Sequence, residues 1–356
     1  MIFLVLAAPQ QIYAAALSAE CAALYDPLTK TFLYEKNVGE RRSMASTTKI
    51  MTALVALERY DSAQTVIIRP EWIGIEGSSM YLRAGEEVTV SDLLYGLMLQ
   101  SGNDAAVALA GILSGSGEDF VALMNRRAAE LGLADTSFTN PNGLDDAAHY
   151  TTAADLAVLA AAAMENEAFQ TIVRTQSIQA AGRFMKNHNK LLALYPDACG
   201  IKTGYTRRSG RCLVSAVCRE GRTLIAVTLA APDDWNDHIA LYEEVFSGLT
   251  RQTLLQAGHL ASVPAASGNG ERCGLYIREG FEMGLLDGER EKVTVTLYGP
   301  RMVYGPVLAG DRFGYAAVSL DGRELFRTEV YYEKDVQKPE ADQGFWRRFL
   351  DRVMGM

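Results

Sequence analysis

No run of 18 or more apolar residues occurs in the 356-residue chain, which excludes an ordinary transmembrane helix. Cysteine is sparse. Cys21, Cys199, Cys212, Cys218 and Cys273 are an odd number without C-x-x-C spacing, so a zinc ribbon is excluded and a disulfide framework is not expected. Cys212 and Cys218, six apart in RCLVSAVC, would share one face of a strand and pack there as small hydrophobes. Histidine is as rare, with only His149, His188, His238 and His259. Neither H-E-x-x-H, nor G-x-S-x-G, nor G-x-x-x-x-G-K-[ST] is found, so metallopeptidase, α/β-hydrolase and nucleotide-hydrolase readings lose their basis. No metal and no cofactor is expected. Basic runs are missing too. With 34 Lys+Arg against 43 Asp+Glu, the formal charge of -9 repels phosphate backbones and argues against nucleic acid as a partner.

What is present is a folded composition, 49% hydrophobic and 22% charged, at a length that suits one large domain and a small one. Residues 1–8 are a continuous apolar run, followed by small residues at Ala14, Ala15, Ala16, Ser18 and Ala19. That is the pattern of an export signal and its cleavage zone. The first basic residue is Lys30, so residues 1–19 read as a truncated signal segment of an exported protein.

Further along, CAALYD and TFLYEKN flank a turn at Asp26-Pro27 and can pair as a hairpin. STTKIMTALVALERY, residues 46–60, is apolar nearly all round, as in a helix buried inside a domain. Thr89 with Asp92, Ser116 with Asp119, and Thr152 with Asp155 are capping signals for three more helices. GRCLVSAVCRE and RTLIAVTLAAP, on either side of Gly221, predict buried antiparallel strands, and a helical run over 235–246 closes the domain. Strands from both chain ends thus flank a helical insertion, an α/β arrangement without regular βαβ alternation. From about residue 261 the short alternating segments LYIREG, KVTVTLYG, RMVYGPVLAG and GYAAVSLDG predict a small all-β module. Residues 333–343 are polar, carry Pro339 and read as a linker. GFWRRFLDRVMGM follows, with Phe345, Trp346, Phe349, Leu350, Val353 and Met354 on one face and Arg347, Arg348 and Arg352 beside it. Such a helix suits a membrane surface; docking on protein is the alternative.

Chemistry concentrates at Ser46-Thr47-Thr48-Lys49. Residues three apart on a helix share a face, so the Lys49 amine can reach the Ser46 hydroxyl. A serine is a weak nucleophile without an adjacent base, and a buried lysine of lowered pKa can be that base. Ser101-Gly102-Asn103 falls between two helical segments, where a tight turn can project polar side chains into a cleft. Lys202-Thr203-Gly204 precedes the CLVSAVC strand, offering a charge, a hydroxyl and room for a ligand beside the backbone.

In that order, about 55 and 100 residues apart, the three match the S-x-x-K, S-x-N and K-T-G set of penicillin-binding proteins and active-site-serine β-lactamases. Together with GSSMYLRAGEEVTVSDLLYGLMLQSGNDAAVALA, MNRRAAELGLADTSFTNPNGL, HYTTAADLAVLA and IKTGYT, the chain resembles the low-molecular-mass serine D-alanyl-D-alanine carboxypeptidases. The resemblance implies an α/β fold: a β-lactamase/DD-peptidase-like domain, with an antiparallel sheet and a helical insertion, then a small all-β domain and a C-terminal amphipathic helix. The expected division is 1–19 signal segment, 20–258 catalytic domain, 259–332 β-rich domain, and 333–356 linker and membrane-associating helix. By resemblance, Ser46 is the acylated nucleophile, Lys49 its base, and Ser101 and Asn103 relay protons and hold the substrate amide. Lys202 raises the positive potential, Thr203 binds the terminal carboxylate beside Gly204, and the backbone amides of Ser46 and Tyr205 form the oxyanion hole. The implied substrates are peptidoglycan stem peptides, with β-lactam antibiotics as inhibitors, at the extracytoplasmic face of the bacterial membrane. The segment APDDWNDH has no arginine to serve as a further carboxylate-binding cation; Arg207 and Arg208 are nearby in sequence. A serine β-lactamase is the nearest rival, but Glu165 and Glu167 lie in the wrong context to activate a deacylating water. The other alternative is a non-enzymatic penicillin sensor that acylates once.

Overall fold

The computed structural model describes residues 16–112, 119–266, 272–337 and residue 352. In it β1 (Cys21–Asp26) and β2 (Thr31–Lys36) pair as the expected hairpin. A 3₁₀ turn, Ala45–Thr48, runs into helix α1 (Lys49–Arg59), whose residues are buried from Lys49 to Ala56. Ser46 therefore sits on the tighter turn and Lys49 at the first α-helical position. The short pair β3 (Thr65–Ile67) and β4 (Glu87–Thr89) leads to α2 (Val90–Leu99), opened by the full Thr89–Asp92 capping box. Helices α3 (Asn103–Gly111), α4 (Phe120–Glu130), α5 (Ala153–Ala163) and α6 (Glu167–Arg174) follow. Asp119, not Ser116, caps α4, by accepting from the Val121 and Ala122 amides; Ser116 lies outside the described residues. The hairpin of β5 (Ser177–Ala180) and β6 (Arg183–Lys186) and a short helix, α7 (Leu191–Leu194), were not anticipated.

The chain then returns to the sheet as β7 (Ala198–Thr206), β8 (Gly210–Arg219) and β9 (Arg222–Leu229). The order β2-β1-β9-β8-β7 is antiparallel throughout and leaves β7 at one edge. Glu220 (φ 50) and Gly221 (φ 74) both take the left-handed conformation that a two-residue hairpin turn requires. Alternation divides the sheet's faces: Val214, Ala216, Ile225 and Val227 join the helical core, whereas Ser215 and Thr228 bond His238 of α8 (Asp234–Ser247) on the other side. Cys218 does not pack beside Cys212. It forms a disulfide with Cys199 across β7 and β8, while Cys212 is free and buried.

A second unit begins at Leu249, ten residues before the expected division, because β10 (Thr250–Leu255) pairs with β13 (Phe281–Leu285). Its five-stranded antiparallel sheet contains β11 (Gly258–Pro264), β12 (Arg272–Ile277), β14 (Val293–Tyr298), β15 (Arg312–Leu320) and β16 (Arg323–Tyr332), in the order β11-β12-β16-β15-β14. RMVYGPVLAG is not a strand; only Val303 and Val307 make isolated bridges. Residues 333–337, expected to open the linker, remain tied to this unit: the Glu333 amide donates to the Gly274 carbonyl, and Val336 pairs with Val307. At the other end, Leu17 and Ala19 are buried and the Ser18 hydroxyl bonds Asp237, so the last residues assigned to the signal segment belong to the first unit. The remaining signal residues 1–15 and the terminal helix lie outside the described residues, apart from Arg352. Among the described residues no helix is long and apolar enough to cross a membrane.

Candidate active site

A cleft of about 330 Å³ lies at the free edge of β7, lined by Ser46, Ser101, Thr203, Gly204 and Tyr205 among others. Lys49, Asn103 and Lys202 are buried behind it. The Lys49 ammonium donates to Ser46 Oγ at 2.9 Å, to Asn103 Oδ1 at 2.7 Å and to the Asn142 carbonyl at 2.5 Å. Burial, then the charge of Lys202, hold the Lys49 amine well below the ordinary lysine range, against a smaller opposing pull from Asp104. Lys202, which donates to the Thr203 carbonyl at 2.8 Å, is pushed down to about 7 by burial. A serine hydroxyl thus sits against an amine that sheds its proton easily.

The turn bearing Ser46 is fixed from several sides. Ala45 has φ 46, and Gly143 packs so closely on the Ala45 carbonyl that a side chain there has no room. Thr48 Oγ1 donates to the Ala45 carbonyl at 2.8 Å and lies 2.7 Å from His149 Nε2. The Thr139 amide donates to His149 Nδ1 at 3.0 Å, so the proton of this imidazole is on Nε2. Burial lowers His149 to about 4, which keeps it neutral. Opposite Ser46, a Cβ on Gly204 would stand 3.1 Å from the Ser46 nitrogen and 3.1 Å from the Met44 carbonyl oxygen. Only glycine lets β7 pass this close to the nucleophile.

Ser101 holds φ 57 and lines the cleft, with no hydrogen bond to Ser46 or Lys49 among the described residues. The Asn103 carboxamide accepts from Lys49 and donates to the Glu76 carbonyl at 2.5 Å. Tyr205 lines the cleft and is 66% exposed. Arg207 and Arg208 are exposed on the β7–β8 turn and do not line the cleft. Arg211 does, from the start of β8. Its guanidinium bonds the buried Asp234 carboxylate through Nε at 3.1 Å and Nη2 at 2.5 Å and lies over the Trp235 ring. The pairing of Arg211 with Tyr205 across the hairpin brings it there, a register that sequence spacing leaves open. Asn142, Asp104 and His149 also went unassigned, although NPNG and HYTT carry two of them.

The sequence pattern of the peptidase S11 family, D-alanyl-D-alanine carboxypeptidase, matches residues 7–233. The D-alanyl-D-alanine carboxypeptidase DacF of Bacillus subtilis is 32% identical over 352 residues, covering 95% of this chain and 89% of that protein. The crystal structure of the D-alanyl-D-alanine carboxypeptidase DacD from Francisella tularensis superposes with a TM-score of 0.64 at 24% identity, over 93% of this chain and 96% of that one, a likeness of fold. The Streptomyces K15 DD-transpeptidase gives 0.63 at 34% identity, over 66% of this chain and all of that one.

Proposed function

The chain belongs to the D-alanyl-D-alanine carboxypeptidase family, serine peptidases of peptidoglycan metabolism, and from that premise we propose that Ser46 carries the acyl-enzyme. The observation that carries this assignment is the 2.9 Å hydrogen bond between Ser46 Oγ and a buried lysine of lowered pKa.

Neutral Lys49 takes the Ser46 proton as Oγ attacks the carbonyl carbon of the penultimate D-alanine. Negative charge gathers on the carbonyl oxygen, facing the amides of Ser46 and Tyr205; such donors contribute about 3 kcal/mol each to a transition state. The peptide C–N bond breaks, the leaving nitrogen receives a proton relayed from Lys49 through Ser101, and the terminal D-alanine departs. Water then attacks the ester, giving its proton back through Lys49, and the shortened peptide and free Ser46 result. Asn103 fixes the Lys49 amine in reach of Ser46. The Thr203 hydroxyl and the Nη1 of Arg211, which makes no hydrogen bond among the described residues, take the terminal carboxylate, and Arg211 supplies the cation that APDDWNDH lacks. A β-lactam acylates the same oxygen.

The enzyme works at the extracytoplasmic face of the membrane, held there by its C-terminal segment, residues 344–356. The apolar N-terminal run, the aromatic and arginine content of residues 344–356, and the Cys199–Cys218 disulfide, a bond favoured in oxidising compartments, support this placement.

D-Alanine release from a diacyl-Lys-D-Ala-D-Ala peptide tests the reaction. Steady release that disappears in Ser46→Ala is expected; release that survives the substitution would remove Ser46 from the mechanism, and acylation by penicillin without any release would leave the sensor reading.

A further inference from the structure

Next to the catalytic cleft lies a second, larger groove of about 590 Å³ that the reaction above does not use. One wall is the strap from Met80 to Glu86, the other the tip of the β5–β6 hairpin from Ala181 to Met185, with Gln100 between them. The two sites are neighbours along the chain in two places: Ser78 and Ser101 line the cleft, Met80 and Gln100 the groove. Both also hang on one anchor. Asp104, beside Asn103, accepts from the Ser79 hydroxyl at 2.6 Å and from the Met80 and Leu82 amides at 3.0 Å each.

The groove is built in advance of any ligand. Arg183 clasps Glu86 through two bonds, at 2.5 and 2.7 Å, and donates to the Tyr81 carbonyl at 2.6 Å, joining hairpin to strap. Gln100 donates to the Lys186 carbonyl at 2.9 Å. Two rings nevertheless stand out into water at its rims, Tyr81 at 78% and Phe184 at 68% exposure. Tyr81 does so with φ 62, a conformation costly for a bulky residue and concentrated at functional sites. The Arg83 guanidinium makes no hydrogen bond or ion pair among the described residues. Exposed ring faces beside a polar, partly charged trough fit a ligand with flat apolar faces and a polar perimeter, as a sugar ring has.

Resting on the carboxypeptidase reading, we propose that this groove binds the N-acetylhexosamine glycan of peptidoglycan, whose sugar faces stack on Tyr81 and Phe184 while Arg83 meets their polar edge. The enzyme would then select strand-attached stems over free peptides.

Three substrates ending in D-Ala-D-Ala separate the occupants: a diacyl tripeptide, a sugar-free pentapeptide and a disaccharide-pentapeptide. Phe184→Ser and Tyr81→Asn, the latter tolerant of positive φ, should each raise KM about tenfold for the disaccharide-pentapeptide and leave the other two unchanged. Loss on both pentapeptides would give the groove to the peptide, loss on all three would make it structural, and no loss would leave it without a ligand; each overturns the proposal. Binding of the peptide-free disaccharide, followed by NMR, reads the groove without turnover. Wild-type binding that is weakened in both variants is expected even if the carboxypeptidase reading fails, and no binding would refute the glycan assignment.

Discussion

Two lysine side chains are fully buried within one site, and their cost is the source of their use. Lys202 titrates at about 7 in the fold against 10.5 as a free side chain, and Lys49 is likewise lowered. The unfolded chain therefore binds more protons than the folded one between those values, so stability rises with pH from about 7 toward 10.5, at up to about 1.4 kcal/mol per pH unit for each such group. Lys202→Met should flatten this rise in urea midpoints measured at pH 7 and 9. The same substitution removes a positive neighbour of Lys49, whose pKa then rises. Because acylation needs the neutral amine, the acid limb of the β-lactam acylation profile should move to higher pH; an unmoved limb would mean that Lys49 is not the base. Arg211→Gln should raise KM for a D-Ala-D-Ala peptide about tenfold or more with a smaller change in kcat, since a charge-assisted hydrogen bond contributes roughly 1.5–3 kcal/mol. An unaltered KM would return the carboxylate to Thr203 alone. Ser46, Lys49 and the K-T-G residues were legible because their spacing is itself the signal. Arg211 was not, because a cross-strand register puts it beside Tyr205.

At the scale of the element, the free edge of β7 and the turn before α1 form one device. Gly204→Ala places a methyl group 3.1 Å from the Ser46 nitrogen, so β7 and the turn must separate by a few tenths of an ångström. The expected result is a fall of at least tenfold in β-lactam acylation rate with little change in melting temperature, since the strand's pairing with β8 is untouched; an unchanged rate would show that the contact is not needed. Elements with strong local signals were legible: the Thr89–Asp92 box, the β8–β9 turn and the apolar α1. The β5–β6 hairpin was not, because SIQA and RFMK are only four residues each, too short for their alternation to stand out as a strand signal. RMVYGPVLAG misled for the opposite reason, since its apolar residues mark only isolated bridges at Val303 and Val307, while Met302, Tyr304 and Leu308 are exposed. The Cys199–Cys218 bond could not be read from spacing, because the two lie 19 positions apart along a hairpin and the register alone brings them together.

For the whole molecule, the sequence told catalytic from β-rich unit but set the boundary late, since β10 is a polar strand whose partner, β13, is long-range. A chain of formal charge -9 has no bulk attraction for an anionic surface, so the proposed membrane association rests on the terminal segment's aromatic residues and arginines. Removing residues 338–356 should abolish sedimentation with anionic vesicles and leave kcat/KM on soluble peptide unchanged; continued sedimentation would place the contact elsewhere. The central claim, that one serine carries the acyl group, is met most directly by mass spectrometry of the intact protein after brief exposure to penicillin, with peptide mapping of the adduct. The account predicts one penicilloyl group, located on Ser46 and absent from Ser46→Ala; an adduct on any other residue, or one that persists in the variant, would contradict it.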